Sequence, residues 1–360
     1  MKLESLQLTN FRSYPELKVT LSPDVTLIVG PNASGKTNLL ESLYVLASTK
    51  SFRARDRDLI HHGSDYYRIA AKTNDIEYAI GLRVLPSLEK RVTHNGVKRP
   101  LIHHIGKLQA TLFEPTDLEL ISGSPESRRR YLDYILSQTN RNYLTTLHSY
   151  RRVLRQRNAL LEGFAIESVR GQIFSWDLQL AELATEVYNQ RQALIHYLND
   201  HLTTLYNDIS GETIPLRLTY LSSVADGNYG DVFLETLTNN LPRDLAAGFT
   251  TIGPHREDFK VSFNDNEIMA VASRGEVRTL VLALKLAELT YSEEQTGIRP
   301  LLLLDDVFSE LDHDRRTYLL NCLNGYQTVI TTTDADAVVR ELSVPHLIIY
   351  TGSEAGVTHD

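Results

Sequence analysis

Gly30-Pro31-Asn32-Ala33-Ser34-Gly35-Lys36-Thr37 stands between an apolar run, Val25-Thr26-Leu27-Ile28-Val29, and a helix-like stretch from Asn38 through Glu41 to Leu46. Strand, glycine loop and helix in that order are what phosphate binding requires. Gly30 and Gly35 let the backbone curl so that successive N–H groups turn inward on an anion, while the following helix presents the positive end of its dipole. In such a loop Lys36 bridges the β- and γ-phosphates and Thr37 offers a hydroxyl to Mg²⁺. The alternative, a glycine turn that merely starts a helix, is outweighed by the strand–loop–helix context.

At 360 residues the chain holds two to three domain-sized units or one larger split domain. Its 42% apolar and 23% charged content is ordinary for a soluble protein, and no apolar stretch is long enough to cross a membrane. Met1-Lys2-Leu3-Glu4-Ser5-Leu6 lacks the long apolar core of a signal peptide. Cys322 is alone, which rules out an intrachain disulfide, favours core filling over a reactive thiol and points to the cytoplasm. The net charge of −8 argues against a uniformly basic coat, yet residues 126–157 carry eight arginines against only Glu126 and Asp133. Such a local patch can meet phosphate backbones on an acidic chain.

Period-two alternation predicts strands over 3–8 and 16–21 ahead of Val25–Val29, and more strands between 67 and 114, with a hairpin at Asn95-Gly96. The period then changes. Ser124-Pro125-Glu126 reads as a helix start, and helical spacing continues to about residue 208, with Leu144, Leu147, Val153, Leu154 and Leu160 on one face and Arg151 and Arg155 on another. Strand-like segments return at 214–220 and 259–263. A helical lobe therefore interrupts the unit that carries the phosphate loop.

Leu301-Leu302-Leu303-Leu304-Asp305-Asp306 reads as a strand buried on both faces and ending in two carboxylates. At the carboxyl edge of a parallel sheet, Asp305 would hold Mg²⁺ through water and Asp306 would orient an attacking water. Upstream, Ser273-Arg274-Gly275-Glu276 opens a strongly apolar helix and makes a second place where N–H groups and a hydroxyl meet an anion. One nucleotide reaches two anion sites at opposite ends of a fold most simply when it lies between two copies of the chain.

The ordered set of Asn10-Phe11-Arg12-Ser13-Tyr14, GPNASGKTN, Thr251-Ile252-Gly253-Pro254-His255-Arg256-Glu257-Asp258, SRGEVR and LLLLDDVFSELD resembles the RecF family of the ABC/SMC ATPase superfamily over nearly the whole chain. The resemblance implies an α/β fold, an ABC-type P-loop ATPase head with a mixed sheet and flanking helices, interrupted by a mainly helical second lobe. The expected division is residues 1–115, 116–248 and 249–360. It also implies ATP and Mg²⁺ as cofactors, an ATP-dependent homodimer, DNA binding at gaps and duplex/single-strand junctions, and work with RecR and RecO in loading RecA. Residue by residue, Gly30 to Thr37 with Asn38 match the phosphate loop, and Arg12 lies near the nucleotide. Thr37 and Asp305 match the metal site. Ser273, Arg274 and Gly275 match the signature that reaches the partner's γ-phosphate, and Asp312 falls at the dimer seam.

Departures qualify this mapping. Glu276 stands where the family signature usually has glutamine, and an added carboxylate there would weaken ATP-driven closure. Asp306 stands where the wider superfamily has glutamate, which implies slow hydrolysis. Thr331-Thr332-Thr333-Asp334 occupies the place of a switch histidine, and Gln109 and Glu114 both suit the Q-loop. His255 with Arg256 either senses ligand or ties down a turn, and Arg128-Arg129-Arg130 is either a solvated face or a phosphate contact. Lys50, Arg53, Arg55 and Arg57 carry the same ambiguity. The pairs His61-His62 and His103-His104 read as surface residues without zinc spacing. A cytosolic ATPase subunit of a transporter is the rival reading.

Overall fold

The computed structural model describes residues 2–162, 166–225, 227–342, 344–353 and 356–359. Two compact units emerge, one of Met1–Asp117 with Glu288–Asp360, the other of Leu118–Ala287.

The first unit contains two six-stranded sheets. One is antiparallel, in the order Tyr14–Thr20, Ser5–Phe11, Tyr66–Lys72, Glu77–Arg83, Glu89–His94, Val97–Arg99. Its hairpin at Asn95-Gly96 has both residues at positive φ (49° and 76°), the geometry in which a two-residue turn follows the strands' twist. The other sheet runs Gly356–His359, His346–Ser353, Val25–Val29, Thr328–Thr332, Leu301–Asp305, Ala110–Phe113, parallel except at its first pair. Val25–Val29, Thr328–Thr332, Leu301–Asp305 and Ala110–Phe113 are buried at every position, which suits their runs of apolar residues and threonine without period-two alternation. The helix Lys36–Ser48 touches strands of both sheets and buries Leu39, Leu40, Leu43, Val45 and Leu46 in their shared core.

The second unit is built on the helices Pro125–Thr139, Arg141–Leu161, Ile166–Ser210 and Tyr229–Asn239 beside a three-stranded antiparallel sheet. Ser124 caps the first helix, its hydroxyl accepting from the Ser127 N–H, with proline in the first turn. The strand Asp258–Phe263 pairs along its length with Leu216–Leu221, for example Val261 with Leu218. For that reason the GPHRED and signature segments belong to the helical unit, and the division falls at 287/288 instead of 248/249.

Two side-chain expectations change. The buried stripe of Arg141–Leu161 is Tyr143, Leu147, Tyr150, Val153, Arg157 and Leu161, and Leu144, Leu154 and Leu160 are only half-buried. Arg157 is fully buried, donating to Asp177 (2.6 Å), Asp244 (2.7 Å) and Thr250 (2.8 Å). His104 is also buried rather than superficial: its Nε2 donates to the Leu46 carbonyl and its Nδ1 accepts from His94 at 3.0 Å. Burial pushes its pKa down to about 4, consistent with a neutral ring.

Removing the Arg157 charge strands two buried carboxylates. Arg157→Met is expected to cost about 3–5 kcal/mol in urea unfolding, the usual result of breaking a buried ion pair; a change under about 1 kcal/mol would show that the site relaxes or admits water.

Candidate functional site

The phosphate loop follows directly from its strand. The Gly30 N–H donates to the Thr332 carbonyl at 3.3 Å, and a Cβ on Gly30 would lie 2.5 Å from the Thr351 carbonyl oxygen. Only glycine fits there. Gly35, at φ 100°, has equally little room, because a Cβ would meet the Tyr14 hydroxyl at 2.7 Å. Ala33 takes φ 65°, so the turn is paid for at a non-glycine position as well. Pro31, Asn32 and Ala33 form an exposed rim, and Ser34 is fixed by a 2.6 Å hydrogen bond to the Thr351 hydroxyl.

Lys36 is 6% exposed and folds back over its own loop, donating to the carbonyls of Gly30 (2.8 Å) and Pro31 (3.0 Å). An ammonium has three N–H groups, so one donor remains for an anion held in the loop. Thr37, in the first turn of the helix, donates to Asp305 Oδ1 at 2.9 Å. The same oxygen accepts from Thr331 at 2.7 Å, and the Thr331 hydroxyl in turn accepts from the Asp306 N–H at 2.9 Å. Thr331 thus has a definite task, that of orienting the Asp305 carboxylate. Asp306 adopts the left-handed conformation at φ 55°, a turn that aspartate tolerates better than most residues.

The hydroxyl of Thr37 and the carboxylate of Asp305 make a hard-oxygen pair at the mouth of an anion-binding loop, which suits Mg²⁺, an ion that keeps several waters and takes few protein ligands. Among the described residues no cluster of three His, Cys, Asp or Glu could form an all-protein metal cage.

Register separates the two Q-loop candidates. Phe113 pairs with Leu304, so Glu114 follows its strand at the carboxyl edge, level with Asp305. Gln109 precedes that strand at the opposite end, its carbonyl accepting from the Leu301 N–H, and is 3% exposed. Glu114 therefore lies on the loop's side of the sheet.

A charged cluster that the sequence did not flag braces the loop helix. Glu41, fully buried on that helix, accepts two hydrogen bonds from Arg12 (both 2.9 Å), one from Arg53 (3.0 Å) and one from Ser51 (2.5 Å). Burial would raise its pKa, but the hydrogen bonds from Arg12, Arg53 and Ser51 outweigh that and hold the carboxyl below its usual range. Arg12 is committed to this pair, and Asn38 donates to Ser13 (2.8 Å) while accepting from Arg53 (2.7 Å). The available signal was a lone acid on the apolar face of the predicted helix.

In the other unit, Ser273 caps the helix Arg274–Thr296 through a reciprocal pair: the Ser273 N–H donates to Glu276 (2.5 Å), and the Glu276 N–H donates to the Ser273 hydroxyl (3.3 Å). This capping box accounts for an acid at position 276. Arg274 is exposed and Gly275 half-buried. Asp312 caps the helix His313–Cys322, accepting from the Arg315 N–H at 3.0 Å, and pairs with the Arg315 guanidinium.

The family model for the RecF/RecN/SMC N terminal domain matches residues 2–348. The DNA replication and repair protein RecF of Lactobacillus johnsonii is 38% identical over 364 residues, covering 96% of this chain and 97% of its relative. The chain belongs to the RecF family. The RecF protein of Agathobacter rectalis is 37% identical, with 94% of each chain covered. A solved structure of the recombination mediator protein RecF with ATP, from the RecFOR pathway, aligns with TM-score 0.90 and 31% identity over 100% of this chain and 97% of that one. An Smc head bound to the C-terminal winged-helix domain of ScpA, at 18% identity and TM-score 0.58, shares the fold. The RecF-family chain thus has the α/β fold of the SMC/ABC-type ATPase head.

Glu41 supplies a pH test. Its folded carboxyl titrates below its unfolded value, so its stabilisation is complete above the unfolded pKa of about 4.3 and is lost as pH falls through the folded pKa. Glu41→Gln is expected to be less stable by about 3 kcal/mol at pH 7. The gap should narrow as pH falls below the unfolded value, and a gap independent of pH would overturn the assignment.

Proposed function

We propose that this RecF-family chain is an ATP-switched DNA clamp that acts as a recombination mediator in the cytoplasm. The observation that carries the reading is the hydrogen-bonded chain Thr37–Asp305–Thr331–Asp306 at the mouth of a lysine-bearing phosphate loop. Gly30 to Asn38 bind the phosphates of ATP, with the remaining Lys36 donor directed to the β,γ-oxygens. Thr37 and Asp305 would hold Mg²⁺, which when bound offsets phosphate charge. Asp306 orients water, and its short side chain makes hydrolysis slow. The ATPase is then a timer for DNA release.

Ser273, Arg274 and Gly275 of a second copy close over the γ-phosphate. The capping box supports this role, because it fixes Ser273 at the start of the helix Arg274–Thr296, where the positive end of the helix dipole favours an anion. Glu276 opposes closure: its hydrogen bonds with Ser273 hold its pKa below the usual range and keep it ionised beside an incoming phosphate. Closure brings two copies together on duplex DNA beside a single-stranded gap, where RecR and RecO cooperate in loading RecA. The relatives' naming as DNA replication and repair proteins favours this over the transporter-subunit reading. No helix among the described residues is long and apolar enough to cross a membrane.

Internal pairing narrows the DNA surface. Of the arginine-rich stretch, Arg128 is held by Asp258 (2.7 Å), Arg151 by Asp133 (2.9 Å) and Arg157 by its buried acids. Arg141, Arg152 and Arg155 remain exposed, with Arg130 only 4.0 Å from Glu126, and are the better phosphate contacts.

Solution mass measured with and without ATP, Mg²⁺ and gapped duplex is the decisive experiment. ATP should convert monomer to dimer, and the dimer should retain DNA. Lys36→Ala should abolish both, and its survival as an ATP-dependent DNA-bound dimer would sink the reading. Glu276→Gln keeps the cap but removes the charge, and should tighten the ATP-bound dimer roughly fivefold, the scale of one like-charge contact in high dielectric.

A further inference from the structure

The GPHRED segment spends nearly all its charge inside the helical unit. His255 donates from Nε2 to the Thr250 carbonyl (3.0 Å), so its Nδ1 accepts from the Tyr150 hydroxyl (2.6 Å). Glu257, 2% exposed, accepts from Tyr220 (2.7 Å), Tyr229 (2.8 Å) and Ser223 (2.8 Å), and Asp258 receives Arg128 through two 2.7 Å bonds. These residues tie down a turn.

Arg256 does not. It is exposed, forms no ion pair with the described residues, and places its guanidinium 4.7 Å from the ring centroid of Phe249. Phe249 is itself 41% exposed. It directly follows Gly248, which at φ 74° ends the helix Leu241–Ala247 in a left-handed cap. The chain beyond is pinned by the Thr250 N–H on Asn158 (2.9 Å) and the Thr251 N–H on Asp244 (2.9 Å). A second cation lies nearby: Arg129 donates to the Glu257 carbonyl at 2.9 Å, and burial, then the charges of Arg191 and Arg256, lower its pKa. The fold thus presents a pre-ordered arginine–aromatic stack beside a second guanidinium.

An exposed aromatic that carries a planar cation is how sequence-tolerant single-strand sites are built, because every base has a face to stack and every nucleotide a phosphate. We infer that Arg256 on Phe249, flanked by Arg129, is a binding site for an unpaired nucleotide of single-stranded DNA. The base stacks on the outward face of the guanidinium, and the adjoining phosphate is drawn by the two positive charges. Duplex DNA keeps its bases stacked and can use only the charge. The site rests on the DNA-clamp reading and adds to it the residues that distinguish single strand from duplex.

The test measures anisotropy of a labelled oligo-dT and of a blunt duplex of the same length, using the full chain with ATP and Mg²⁺ over a salt series. Arg256→Ala and Phe249→Ala should each weaken oligo-dT binding roughly fivefold or more while leaving duplex binding within about twofold. Arg256→Lys should keep the parent's salt slope yet stay weak on oligo-dT, because an ammonium offers no plane. Unchanged melting of Arg256→Lys and Arg256→Ala would exclude misfolding. Equal losses on both DNAs would overturn the inference in favour of a backbone contact. Unaltered DNA binding with weaker ATP-dependent dimerisation would overturn it in favour of a seam between copies. If the parent holds duplex but not oligo-dT, this inference falls and the clamp stands; if it holds neither, both fall.

Discussion

Strand register in the parallel sheet is the constraint on which the rest depends. Val29 lies opposite Thr332, Thr331 opposite Asp305, and Leu304 opposite Phe113. These pairings bring the phosphate loop, the two carboxylates, Thr331 and Glu114 to one edge of the sheet. Because side chains alternate along a strand, a slip of one residue would carry Asp305 to the other face and place Leu304 where the carboxylate belongs. Burial of these strands makes such a slip costly: the leucines that fix the register are core residues, 0% exposed at positions 302 to 304.

A buried charge supplies the second constraint. Glu41 is fully buried on the loop helix, and its charge is tolerable there because Arg12, Arg53 and Ser51 surround it. The N-terminal hairpin and the segment after the helix are thereby fastened to the helix that begins at Lys36. Orientation of that helix decides where its N-terminal N–H groups point, so the cluster sets the geometry of the loop's helix end.

Much of this was legible in the residues. The strand, glycine turn and helix around Gly30–Lys36, the four-leucine strand, the Asn95-Gly96 turn and the Ser124 cap each carry a local physical signature, and each forms as that signature dictates. Pairings between distant acids and bases have none. Arg157 reads like its neighbours in an arginine-rich stretch, yet Asp177 and Asp244 take it into the core. His104 reads as half of a surface pair, yet its partners are Leu46 and His94. The unit boundary shifted for the same reason, because Asp258–Phe263 seeks its partner strand backward in the chain. Gln109 and Glu114 were equivalent until the register separated the two ends of one short strand.

The hydrogen bond between Ser34 and Thr351 links residues 317 positions apart, and Thr351 also donates to the Val29 carbonyl across 322 positions. The strand Val25–Val29 is flanked by His346–Ser353 on one side and Thr328–Thr332 on the other, so its neighbours are made long after it. During synthesis the segment that carries the loop leaves the ribosome before those two strands, as an apolar strand without its sheet. Long-range parallel pairing is slow and leaves strand edges open in the interval. The edge of the sheet that carries this loop is therefore completed only after both later strands have been made.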